Sequence, residues 1–204
     1  STGATISLMD DGPRDDGMRR TGFHHVAYAC RDAEATRHFY EDLHGIPLVH
    51  TAVKAGEGSF FRHLFFDTGD GTCIAFFEVQ GVGELDDYST EVSTGNGLPV
   101  WVNHVAFAAD EERARQAEER LAADDIVPLM EVDHGWCVSL YYLDPNGIMV
   151  EFCRDTGGFG DDPGSAADRL GDTEATDVST YLRPLDPAGL RGFNPLPTRQ
   201  PAQE

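Results

Sequence analysis

The strongest constraint on this chain is that it contains itself twice. The segment His25-Val-Ala-Tyr-Ala returns as His104-Val-Ala-Phe-Ala. Each copy passes through an acidic turn, Arg31-Asp32 in one and Asp110-Glu111 in the other, into a stretch with helical spacing. The first stretch, Ala33 to about His44, sets Phe39, Tyr40 and Leu43 on one face. The second, Glu111 to Asp124, does the same with Ala114, Ala117, Leu121 and Ala122. An extended piece follows in each copy, Gly45 to Val49 and Asp125 to Met130. Two further apolar strands close each copy: Phe61 to Phe66 with Cys73 to Phe77, and Cys137 to Tyr142 with Ile148 to Phe152. The turns between them, Thr68 to Gly71 and Asp144 to Gly147, both end on glycine.

Each copy therefore predicts a βαβββ module. A four-stranded sheet with a helix on one side has a second face to cover, and two such sheets can cover each other. The expected class is α+β, with the two modules pairing into a curved, barrel-like mixed sheet around one site. Residues 21–80 and 100–154 form the modules. Residues 81–99, rich in Gly, Ser, Thr and acids, read as a linker crossing the surface. Residues 1–20 read as a mobile N-terminal tail and 155–204 as an acidic, Pro/Gly-rich C-terminal tail. Within the latter, Tyr181-Leu182 and Leu190 to Leu196 are apolar patches suited to docking on the body or on a neighbouring subunit.

A formal net charge of -21, with Lys54 the only lysine beside 14 arginines, repels phosphate backbones and anionic membranes. Nucleic acid and membrane are thus poor partners. There is no run of 18 or more apolar residues, and the first twenty residues carry charges where a secretion signal needs an apolar stretch. A cytoplasmic location is the expectation. Cys30, Cys73, Cys137 and Cys153 lie in apolar runs without CxxC spacing, which reads as four buried reduced thiols and excludes zinc-finger chemistry.

Paired modules opening on His-Val-Ala-aromatic-Ala and closing on Asp-Pro-Asn-Gly-x-x-x-Glu resemble the vicinal oxygen chelate superfamily over about residues 23–154. That superfamily includes glyoxalase I, methylmalonyl-CoA epimerase, extradiol dioxygenases and bleomycin-resistance proteins. The resemblance implies a divalent metal on the first and last strands of the modules, here His25, His104 and Glu151. Repeat equivalence points the same way, since pseudo-twofold packing would aim His25 and His104 at one point. Imidazole nitrogen with carboxylate oxygen suits Fe(II), Mn, Zn or Ni. His24 should point to the opposite sheet face by strand alternation. Glu78 is the candidate fourth ligand of glyoxalase-like members. The repeat argues against it: Gly71-x-x-x-Ala75 superposes on Gly147-x-x-x-Glu151, so Ala75 fills the slot and Glu78 has the opposite parity. Two His and one Glu leave coordination positions open, as in the facial triad of non-haem Fe(II) oxygenases.

The stretch Val132-Asp-His134 through Tyr141 and Asp144-Pro-Asn-Gly147 to Glu151 resembles the extradiol dioxygenase signature at every constrained position. The resemblance implies that Tyr141 bonds a substrate oxygen and that His134 handles a substrate hydroxyl or the reacting oxygen. One departure stands out. Extradiol enzymes usually carry an acid–base His where this chain reads Gly71-Thr72-Cys73, which leaves His63 on the preceding strand as the candidate proton carrier. Three functions follow. The first is an Fe(II)-dependent dioxygenase of a catechol-like aromatic, a small-molecule substrate with vicinal oxygens. The second is a glyoxalase- or epimerase-like lyase or isomerase. The third is a drug- or metabolite-binding protein, disfavoured by the intact ligand set. A homodimer is possible, because the modules can close on each other or on those of a partner chain.

Overall fold

The computed structural model describes residues 22–85, 87–160, 163–174 and 179–183. The expected N-terminal tail, 1–20, and the apolar patch Leu190 to Leu196 lie outside the described residues. Module one comprises β1 (His25–Cys30), α1 (Ala33–Arg37), β2 (Leu48–Gly56), β3 (Ser59–Asp67) and β4 (Cys73–Gln80). Module two comprises β5 (His104–Ala108), α2 (Glu111–Ala123), β6 (Met130–Asp133), β7 (Cys137–Leu143) and β8 (Met149–Asp155). The α+β class and the repeated topology stand. The sheets order as β1-β4-β3-β2 and β5-β8-β7-β6, with the first and last strands of each module parallel neighbours. They do not close into a barrel within the chain.

Both helices begin on an aspartate. Asp32 accepts from the backbone of Glu34 and Ala35, and Asp110 from that of Arg113, so orphan amides of each first turn are satisfied. The first helix ends differently from the second. After Arg37 it widens into a π-helical turn, His38–Leu43, which turns Phe39, Tyr40 and Leu43 into the core. The extended segment of module two is shorter than the sequence suggests. Asp125 holds a positive φ of 60°, and the chain pairs only from Met130.

The helices lie between the two sheets. Tyr40 meets Phe66 and Phe76 of the first sheet and Phe107 of the second, and His44 stacks on Phe152. One continuous core thus takes the helix-side residues of both modules. The Asp144-Pro-Asn-Gly147 turn locks this seam. Asp144, 4 % exposed, accepts from the backbone of Asn146 and Ile148 and from the Tyr40 hydroxyl at 3.0 Å. Asn146 accepts from Arg31 N and donates to Thr36 Oγ1. Gly147, at φ +76°, leaves no room for a Cβ, which would stand 2.6 Å from Glu91 Cγ. The linker is stitched down rather than loose: Thr90 donates to the Asn146 carbonyl, Ser93 pairs with Asn103, and Tyr88 donates to the Cys30 carbonyl.

Past β8 further elements lie among the described residues. A short helix α3 (Pro163–Asp168) precedes β9 (Thr180–Tyr181), which adds to the free edge of β6. Arg183 then ion-pairs with both Glu118 and Glu131. Among the described residues no helix is long and apolar enough to cross a membrane.

Candidate functional site

Strand parity decides where the chemistry points. Val26, Cys30, Ile74 and Phe76 face the helices; His25, Ala27, Cys73, Ala75 and Phe77 face the other way. In module two Phe107, Val150 and Phe152 face the helices, and His104, Met149, Glu151 and Cys153 face away. The two registers match: Ala27 pairs with Ala75 as Ala106 pairs with Glu151. The slot that holds Glu151 in one sheet holds Ala75 in the other.

On the open face of the second sheet, His104 and Glu151 converge. Nε2 of His104 lies 3.0 Å from Oε2 of Glu151. The Nδ1–H of His104 donates to the Trp101 carbonyl at 2.8 Å, which leaves Nε2 as the nitrogen free to ligate. Oε1 of Glu151 accepts from Ser139 Oγ at 2.5 Å. Burial alone would raise the Glu151 pKa, but the bonds from His104 and Ser139 hold it below its usual range. The same bond from Glu151 raises that of His104 against the opposing pull of burial. A buried carboxylate beside an imidazole whose other nitrogen is tied to a carbonyl is the donor chemistry and outer support of a divalent-metal ligand pair.

Tyr141 stands opposite Glu151 on the neighbouring strand, while Tyr142 goes into the core between the sheets. The Tyr141 hydroxyl is 2.9 Å from His134 Nε2, and His134 Nδ1 is 3.1 Å from Ser179 Oγ. Burial, then the Glu151 charge, push the Tyr141 hydroxyl pKa up; burial pulls that of His134 down. Tyr181 of β9 packs against the cluster that contains Tyr141, Met130 and Val132. His134, Tyr141 and Glu151 are thus gathered on one sheet face, and the C-terminal segment walls it.

His25 is elsewhere. It lies exposed on the open face of the first sheet, 5.2 Å from the Phe65 ring and 5.8 Å from the His63 ring, with its Nδ1 2.8 Å from that of His24. His63 stacks on Phe77 at 3.7 Å, and burial, then the neighbouring His25 and His50, lower its pKa. His24 precedes β1 and is exposed. Glu78 faces the helix side: it accepts from Ala33 N and ion-pairs with Arg62, so α1 and β3 hold it. Because the two open faces lie on the far sides of a shared core, one chain does not unite His25 with His104 and Glu151. Among the described residues of one chain, the three-donor group within 4.8 Å is instead Cys137, Glu151 and Cys153.

Sequence reading missed Ser139, Ser179 and the Trp101 carbonyl. Ser139 was within reach, since it shares the parity of Tyr141 two residues away. Ser179 and the carbonyl leave no signal in the sequence.

A duplicated βαβββ unit with a His–Glu pair on the paired first and last strands of one copy defines a paired-module α+β class of protein. The chain belongs to the Glyoxalase/Bleomycin resistance protein/Dioxygenase superfamily, whose model matches residues 22–152. Among solved structures it is similar to a glyoxylase/bleomycin resistance protein/dioxygenase domain from Frankia sp. EAN1pec, with 20% identity over 69% of this chain and 96% of that one and a TM-score of 0.51. A second, SMU.1112c, shares 18% identity over 66% and 99% of the two chains, TM-score 0.50. A mutant of the fosfomycin resistance protein FosX from Listeria monocytogenes, solved with Mn(II) and 1S,2S-dihydroxypropylphosphonic acid, shares 19% over 69% and 95%, TM-score 0.47. At these identities the likeness concerns the fold.

Proposed function

We propose that this protein is a metal-dependent oxygenase of the extradiol type, with Fe(II) held by His25, His104 and Glu151 and a catechol-like aromatic as substrate. The observation that carries this reading is the convergence of Glu151, Tyr141 and His134 on one face, beside a ligand set with no carboxylate as a fourth ligand. Ala75 fills the equivalent slot, and Glu78 is engaged by Arg62 and Ala33. The reading requires a second copy. The two open faces point apart in one chain, so the first sheet of one copy must lie over the second sheet of another, bringing its His25 and His63 to His104 and Glu151.

A divalent metal there supplies Lewis acidity toward two vicinal substrate oxygens and, as Fe(II), access to dioxygen. The rest is the work of this chain's residues. Trp101 and Ser139 hold His104 and Glu151 in their ligating orientations. Tyr141, protonated at neutral pH, donates a hydrogen bond to a substrate oxygen and passes protons to His134. His63, held neutral, accepts a proton from the opposite wall. A lyase or isomerase is the second reading, favoured by the absence of a histidine at Gly71 to Cys73; it keeps the same ligands and gives the proton transfer to His63.

The test is complementation. His25→Ala and Glu151→Ala proteins should each fail to bind stoichiometric metal. Mixed and re-annealed, they should regain it, because a hetero-pair contains one intact site. Absence of recovery with dimers present sinks the shared site. Iron-loaded protein that consumes no oxygen with any of a panel of catechols and hydroquinones sinks the dioxygenase and leaves the isomerase.

A further inference from the structure

Two thiols lie on the same sheet face as Glu151, the face turned from the helices, on neighbouring strands, with Cys137 and Glu151 buried there and Cys153 half-buried. Cys137 on β7 and Cys153 on β8 are diagonal neighbours, since the register pairs Cys137 with Asp155 and Ser139 with Cys153. Their sulfurs and a carboxylate oxygen of Glu151 all lie within 4.8 Å of one another. Ser139 sits among them: its Oγ is 3.4 Å from Cys137 Sγ and donates to Glu151 Oε1. The other oxygen, Oε2, faces His104. Glu151 therefore offers one oxygen to a nitrogen ligand and the other to a sulfur pocket.

Neither thiol is in a disulfide. Diagonal positions on antiparallel strands stand about 7–8 Å apart, which is outside the Cα span of an ordinary disulfide. A disulfide is therefore a poor account of the pair. Two sulfurs and one carboxylate suit a different occupant, because soft thiolate donors select thiophilic ions over the hard ions that oxygen and nitrogen prefer.

We propose that Cys137, Cys153 and Glu151 form a second cation site, for a thiophilic divalent ion of the zinc or cadmium class, which shares Glu151 with the nitrogen–oxygen site. Binding forms two metal–sulfur bonds and releases two thiol protons to solvent. It also draws Glu151 Oε1 away from Ser139, so a soft ion here competes with the ion held by His104 and Glu151. The inference rests on the proposed function only for that competition. The sulfur site stands on its own geometry.

The test uses the full chain, reduced and free of metal, titrated without oxygen with cadmium chloride alone. A cadmium–thiolate charge-transfer band should saturate at one equivalent. Cys137→Ala and Cys153→Ala should each remove most of it and weaken cadmium binding at least tenfold. Cys30→Ala and Cys73→Ala, on the other module, should leave it intact, as should His25→Ala. Far-ultraviolet circular dichroism checks folding, and should the buried Cys137→Ala variant fail that check, Cys153→Ala at the half-buried position decides. No band at one equivalent overturns the site, as does a band that survives Cys153→Ala. The two readings fail separately: loss of Mn(II) binding in His25→Ala reports the nitrogen–oxygen site, whereas the cadmium band reports the sulfurs.

Discussion

The two modules share a topology and differ in what they do with it. Both have a histidine at the first position of their first strand, on the face turned from the core. In module two that histidine meets Glu151, backed by Ser139, Tyr141 and His134, and β9 walls the face. In module one the equivalent slot is Ala75, and His25 stands among His63, His50 and Phe65. The turns diverge in the same way. Asp144 is buried and bonded across the seam to Tyr40, whereas Asp70 is exposed and bonds only to Thr68 and Thr72 beside it. In the proposed site, module two is the anchor and module one of another copy its cover.

The largest effect expected from this asymmetry is on metal binding. Glu151→Ala should abolish stoichiometric binding, measured by metal analysis of purified protein, while Glu78→Ala should keep the metal and lose only the support of α1. Equal loss in both would show that module one contributes a carboxylate after all.

Stability should divide the turns next. Asp144→Ala removes four bonds and leaves the buried Tyr40 hydroxyl without its partner, at a cost of about 3 kcal/mol in chemical denaturation. Asp70→Ala, at the exposed turn, should cost under about 1 kcal/mol. Similar values would mean the seam is not where the second module gains its rigidity.

Removing the wall is a subtler intervention. Truncation after Thr156 deletes Ser179 and β9 but no proposed ligand, so metal affinity should stay within a few-fold. With the Ser179 bond gone, the ring nitrogens of His134 should shift in 15N spectra. Unchanged His134 signals would remove any role for the segment in orienting that ring.

The effect confined to the narrowest range of conditions is acid sensitivity at the shared core. Burial lowers the His44 pKa from 6.5 to about 4, so the folded state binds this proton less readily than the unfolded one. Its contribution is fully present above about 6.5 and is lost as the pH falls toward about 4. His44→Phe should flatten the decline of denaturation midpoints across that window; an unaltered slope would place the sensitivity elsewhere.

The repeat was enough to read the strand order, both helices and the parity that sets Ala75 against Glu151. Strand alternation sets Tyr141 and Tyr142 on opposite faces, so one of the pair is expected to face inward. What the repeat could not show was which way the helix-bearing faces turn. Tyr40, Phe107 and Phe152 are apolar in either arrangement, and periodicity says that a face is buried without saying against what. The bond of Asp144 to Tyr40 joins residues 104 apart, and nothing local to either marks it. The signature around Asp144-Pro-Asn-Gly147 likewise suggests chemistry, whereas here its polar atoms serve the join between modules.

That join has a consequence for how the molecule comes apart. Neither half can be excised. Separating the halves at the stretch that holds Thr90 and Ser93 would strip cover from Tyr40 and Phe39 on one side and from Phe107, Tyr142 and Phe152 on the other. The pair should therefore melt as one cooperative unit with a single heat-absorption peak, and each half expressed alone should aggregate.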